Sequence, residues 1–203
     1  MPGDLPRPRD RMVYSAAQLV RTRGVTATGV RDVVEHSGAP RGSFQHYFPG
    51  GKDQLIGEAV RWSAGFAARW VASYPQTTDT PSPADLFAHM ARWWKDDLSR
   101  REYERGCSVM ATAADLAGSD SAVNQQLHAA LDDWAHAVVD QLGRMGLPPG
   151  RSRNLATLMI STLEGAIMLA RVHRDVQPLD TVVTELAPLL DAHPASSNTE
   201  RER

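Results

Sequence analysis

A single cysteine in 203 residues excludes an internal disulfide and points to a reducing compartment. The opening residues, MPGDLPRPRD, hold no apolar stretch of the kind that heads a secretory signal, so the expected location is the cytoplasm. A long uninterrupted hydrophobic run is also missing. The most apolar stretch, Leu155 to Ala170, is broken by Glu164 and is shorter than the ~20 residues that span a bilayer, so a transmembrane role is not expected. Nowhere do polar and apolar residues alternate with period two over six or more positions, which argues against a sheet. The GxSxG, HExxH, P-loop and GxGxxG dinucleotide patterns are absent, so no enzyme class has positive support and no cofactor is expected. Net charge is small as well, 22 Lys+Arg against 24 Asp+Glu. That figure hides an asymmetry: residues 1–61 hold nine basic and six acidic side chains, whereas 62–203 are net acidic. One end is therefore the part suited to a polyanion.

What the chain does have is helical periodicity almost throughout. The spacing predicts helices over 8–23, 29–37, 41–48, 52–73, 83–99, 106–116, 121–145, 151–173 and 179–190. Gly24 would stop the first, Thr28 would cap the second, and Pro40 would open the third. The segment YPQTTDTPSP, residues 74–83, reads as a loop, and PASSNTERER at 194–203 as a frayed tail. The expected class is all-α, with nine helices.

The second and third helices, joined by Gly38-Ala39-Pro40, have the spacing of a helix-turn-helix, whose second helix enters the major groove. Phe44 and Phe48 lie four apart and would face inward, leaving Arg41, Ser43, Gln45, His46 and Tyr47 outside as donors for phosphates and base edges. Gly42 would allow close approach of the backbone, and Lys52 would sit at a helix amino terminus that favours phosphate. A helical hairpin with a merely solvated face has the same spacing.

The run TATGVRDVVEHSGAPRGSFQHYFPGGKDQL, preceded by LVRTRG, resembles the DNA-binding domain of TetR/AcrR-type transcriptional regulators. The motifs TG, GAPRGS and PGGK, with RGC at Arg105 to Cys107 and NLATLMISTLEGAIMLARVHRD, resemble the LmrA/YxaF subgroup. The resemblance implies an all-α homodimer that binds a palindromic operator and represses until a small molecule enters its carboxy-terminal domain. By resemblance, Arg41, Tyr47 and Lys52 would touch phosphate, Thr28 and Arg31 would approach the backbone or groove edge, and Ser43, Gln45 and His46 would face bases. Gln45 and Pro40 depart from the residues most frequent in the family at those places. The implied organisation is a helix-turn-helix domain over 1–50, a ligand-binding and dimerisation domain over 51–193, and a tail.

In the carboxy-terminal part, Trp62, Phe66 and Trp70 recur at i, i+4 and i+8, and Trp93, Trp94, Cys107, Met110, Trp134, Met159 and Met168 fall on the surrounding helices. Aromatic and Met side chains of this kind line an adaptable apolar pocket, or simply fill a core. Glu164, a carboxylate in an apolar helix, wants a partner and is a further pocket candidate. Leu155, Leu158, Thr162, Gly165, Leu169 and Val172 form one stripe of the eighth helix and are the candidate dimer interface, with their own chain's core as the competing role. His128, Asp132 and His136 share a face and could hold a metal, but a solvated polar face suits them better. The expected function is a ligand-responsive, dimeric DNA-binding regulator acting as a repressor. The rivals are a regulator without an effector, an activator, and a helical-bundle metal protein or enzyme.

Overall fold

The apolar periods fold as helices through most of the described residues. The computed structural model describes residues 7–74, 81–116 and 122–192, and among them it contains nine α-helices and no strand. These are α1 (Pro8–Arg23), α2 (Val30–Ser37), α3 (Phe44–Tyr47), α4 (Gly51–Ala72), α5 (Pro83–Arg100), α6 (Ser108–Leu116), α7 (Ala122–Arg144), α8 (Pro149–His173) and α9 (Gln177–Asp191). The tail expected at 194–203 and the middle of the expected 74–83 loop lie outside the described residues.

Local chemistry sets most helix ends. Pro8 and Pro83 occupy first positions, where a missing N–H costs nothing, and the Ser82 hydroxyl oxygen accepts a bond from the Asp85 N–H at 3.2 Å. Gly38 ends α2 in the left-handed region, φ +62°, where a side chain would be strained. Two ends differ from expectation. Gly29 rather than Thr28 caps α2, because the Asp32 carboxylate accepts from the Gly29 N–H at 3.2 Å while the Thr28 hydroxyl donates backwards to the Gly24 carbonyl at 2.6 Å. The third helix begins as a 3₁₀ turn over Arg41–Ser43, since Pro40 keeps an extended backbone and its carbonyl accepts from the Ser43 hydroxyl at 2.7 Å.

α4 runs past three apolar clusters and so links both ends of the molecule. Its start supplies Leu55 and Ala59 to a cluster with Met12, Val13, Ala16, Val33, Val34 and Phe48. Ile56, Val60 and Ala64 then meet Val20, Val109, Val123 and Leu127, and Val71 joins the largest cluster, with Phe87, Leu98, Trp134, Leu155 and Leu163. Its most extensive partner is α7.

α8 is apolar on two sides. Its 25 residues include a window of mean hydropathy 1.5, long and apolar enough by composition to cross a membrane, but 44 % of that window is buried within the chain itself, a composition that a core helix shares. Leu155, Ala156, Met159, Leu163, Ala166 and Ile167 pack inwards, whereas Met168, Leu169 and Val172 stand 55 %, 52 % and 71 % exposed on the outer face. Leu155, expected at an interface, is therefore corrected to the chain's own core, because it lies on the inward side of the helix. Leu158 and Thr162 are half-buried, and Gly165 is exposed with Leu169 and Val172.

Candidate functional site

The first candidate surface is built by α2, the Gly38 turn and α3. A four-residue helix has no stability of its own, so its place is set by packing. Phe48 is completely buried, and Phe44 stacks on it with ring centroids 5.4 Å apart. From the other side, Arg11 donates through Nε to the Ser37 carbonyl at 3.0 Å and ties α1 to the end of α2. Arg31, Arg41, Gly42, Gln45 and His46 are exposed, while Ser43, Tyr47 and Lys52 are half-buried. Among the described residues Arg31, Arg41 and Lys52 have no carboxylate partner, so their charge faces outwards uncompensated. Thr28 does not share this surface. It is 1 % exposed, with its hydroxyl committed to Gly24, and that corrects its expected role near DNA.

The second site is a cavity of about 260 Å³ between α1, α4, α5, α7 and the α5–α6 connection, near the lower end of small-molecule sites at ~300–1,000 Å³. Edge-to-face and stacked rings form one wall: Tyr14 on Trp62 at 5.3 Å, Trp62 on Phe66 at 6.4 Å, Phe66 on Trp93 at 5.0 Å and Trp93 on Trp94 at 4.7 Å. Trp70 also lines it, held by its indole N–H on the His89 carbonyl at 2.9 Å and by parallel stacking on the His89 ring. Burial lowers the His89 pKa, so that ring stacks in its neutral form.

Of the expected pocket residues, Trp62, Phe66, Trp70, Trp93, Trp94, Cys107 and Trp134 come together on this cavity. Four do not. Met159 is fully buried in the core behind it, and Met110 packs with the middle cluster. Met168 points outwards because it lies on the opposite side of α8 from the core residues Leu163 and Ile167. Glu164 lies behind Cys107, with Oε1 sealed from solvent and unpartnered.

Among the residues that sequence reasoning missed are the cations Arg100, Arg101 and Arg105, the Asp97 carboxylate and three side chains of α1. Tyr14, Gln18 and Arg21 recur at i, i+4 and i+7 and project from the first helix into the cavity. This polar and aromatic stripe beside an apolar one was the available signal. Arg21 is nearly buried, pairs with Asp97 of α5, and donates through Nε to the Gly106 carbonyl at 2.7 Å, while the Gly106 N–H returns a bond to the Arg21 carbonyl at 2.9 Å. Nearby, Arg105 donates to the Gln18 side-chain oxygen at 2.9 Å, and the Asp115 carboxylate of α6 accepts from the Val25 and Thr26 N–H groups at 2.7 and 3.0 Å. Gly24 stands where a Cβ would meet that carboxylate at 2.8 Å. The first helix and the loop after it are thus fastened to the cavity wall by charge-assisted bonds.

Glu164 has the largest consequence for pH. Burial pushes its pKa from near 4.5 up to about 7, against the Cys107 thiol bond and the Arg21 charge, both of which lower it. Burial and the Glu164 charge push the Cys107 thiol well up, which disfavours the thiolate. A carboxyl that keeps its proton longer when folded contributes stability that is lost as pH rises from 4.5 through about 7. Glu164→Gln should flatten that part of the profile and raise stability near pH 8 by up to ~3 kcal/mol. Denaturant unfolding of both forms across this range checks it; parallel curves would contradict the buried acid.

Residues 14–59 match the family described as bacterial regulatory proteins, tetR family, and residues 83–185 match the LmrA/YxaF-like transcriptional regulator carboxy-terminal domain. A helix-turn-helix transcriptional regulator of Mycobacterium tuberculosis is 39 % identical over 90 % of this chain and 94 % of its own. The transcriptional regulator LmrA of Bacillus subtilis is 27 % identical over 84 % and 90 %. A TetR regulator of Chloroflexus aurantiacus superposes with a TM-score of 0.68 at 25 % identity, covering 89 % of this chain and 92 % of its own.

Proposed function

The chain belongs to the TetR family of bacterial regulatory proteins, in its LmrA/YxaF-like branch, and from that premise we propose that it is a homodimeric cytoplasmic repressor released from a palindromic operator by a small aromatic effector. A helix-turn-helix transcriptional regulator binds DNA, and here residues 1–50 would form the reading head and 51–193 the effector and dimer part. Arg31, Arg41, Tyr47 and Lys52 would meet phosphates, while Ser43, Gln45 and His46 would face bases, Gln45 suiting adenine N6 and N7.

The observation that carries the effector reading is the shared wall: α1, the first helix of the reading head, contributes Tyr14, Gln18 and Arg21 to a cavity with an aromatic wall from α4 and α5. A molecule filling that space would press on α1 and α4 together and so favour one separation of the two reading heads over another. A coupling of ~1–3 kcal/mol suffices for a 5- to 150-fold change in operator affinity. Dimerisation through α8 and α9 is supported by the apolar side chains left outside there, Met168, Leu169, Val172 and Leu189. Two heads on a two-fold axis would read half-sites ~34–36 Å apart, or a multiple of that.

The experiment is a titration of palindromic duplexes from the DNA upstream of the gene. Two chains per duplex and affinity falling steeply with salt are expected. Arg41→Ala should weaken all duplexes alike, whereas Gln45→Ala should change which duplex is preferred. Unchanged preference in Gln45→Ala removes the base-contact assignment, and a monomeric mass at micromolar concentration removes the dimer.

A further inference from the structure

The cavity is not uniformly apolar. Beside its aromatic wall stand four guanidinium groups, Arg21, Arg100, Arg101 and Arg105, against the single carboxylate of Asp97. Arg21 is the most firmly held: Nε bonds the Gly106 carbonyl, Nη2 pairs with Asp97, and the guanidinium carbon lies 5.4 Å from the ring centroids of both Trp93 and Trp94. Its remaining nitrogen, Nη1, has no hydrogen-bond partner among the described residues. Arg105 spends only Nη1, on Gln18, and Arg100 only Nε, on the Asp96 carbonyl. Arg100 and Arg101 are exposed at its mouth, whereas Arg21 is nearly buried and Arg105 half-buried, and for these two a planar carboxylate matches the guanidinium fork in shape and charge. Trp134 closes the wall at 2 % exposure, with its indole N–H sealed from solvent and unpartnered.

We infer that the cavity takes a flat aromatic carboxylate, with its rings against the Phe66 and Trp93 wall and its anion on Arg21 and Arg105. The inference rests on the effector reading above and specifies the charge of the effector. It also supplies a route for release. Arg21 and Gln18 sit on α1, so a carboxylate that draws on Arg21 competes with Asp97 for the bond that fastens the reading head to α5.

The test compares 2-naphthoate with its neutral methyl ester, by quenching of intrinsic tryptophan fluorescence in the full chain near pH 8. The acid should bind at least about tenfold more tightly than the ester, as expected for charge-assisted bonds in a partly buried site. This margin should shrink as salt rises, and Arg105→Gln should weaken the acid more than the ester and so reduce it to about threefold or less. Equal affinities of acid and ester overturn the charge assignment and leave the aromatic effector site standing. No binding of either at millimolar concentration overturns both. A margin untouched by Arg105→Gln would put the anion elsewhere and overturn the assignment. If a variant fails to fold, the acid-to-ester comparison in the wild-type chain and its salt dependence still decide.

Discussion

Arg21→Met should lower unfolding stability by about 3–5 kcal/mol, because it leaves the Asp97 carboxylate buried without its counter-charge. Arg21 and Asp97 are 9 % and 11 % exposed at their side chains, so water cannot take over the lost partner. The guanidinium also holds the Gly106 carbonyl and covers two indole faces, and a methionine replaces only the second of these roles. For a chain of this length such a loss corresponds to a drop of roughly 10 °C or more in Tm. Arg21→Met with Asp97→Leu should recover most of it, since a buried pair exchanged whole for apolar side chains is often neutral. Denaturant unfolding of the two single variants and the double one gives the coupling directly. A single variant within 1 kcal/mol of the wild type would show that the pair is solvated rather than buried. A double variant as unstable as the single would show that the Gly106 bond, not the ion pair, is what matters.

The second large effect is expected at Phe48. Its side chain is fully buried among Met12, Val13, Val33, Val34 and Leu55, and it follows directly on the single turn of α3. Phe48→Ala should cost about 3–5 kcal/mol, the sum of lost transfer energy and the cavity left behind. The functional loss should be larger than the stability loss implies. One turn of helix cannot hold its own geometry, so α3 stays in register with α2 only while Phe44 and Phe48 anchor it. Under conditions where the variant is still folded by circular dichroism, operator binding should fall at least about a hundredfold, while ligand quenching in the distant cavity is retained. Phe48→Leu should keep most of both. Normal operator affinity in folded Phe48→Ala would mean that α3 is positioned by something else.

The apolar periods of α1, α5 and α9 were legible because the forces that write them act within one or two turns: an i, i+4 apolar stripe, a proline at the first position, a glycine at the stop. The places that went astray involve a choice between equivalent local partners. Thr28 and Asp32 could each satisfy the start of α2, and only the packed loop let Thr28 turn back to Gly24. On α8 the apolar residues run right round the helix, so the pattern alone could not separate Leu155, which faces the core, from Leu169 and Met168, which do not.

By itself, then, the sequence determined the helical class, nearly every helix boundary, the helix-turn-helix and the aromatic supply of α4 and α5, since each is encoded in neighbours along the chain. Tertiary structure alone decided which aromatic residues meet round one space, that α1 of the reading head forms part of its wall, and that four arginines stand at it. Arg21 and Asp97 are 76 residues apart. A pairing over that distance leaves no local period, because it depends on where three helices come to rest against each other, which is settled by the burial of all their apolar faces at once.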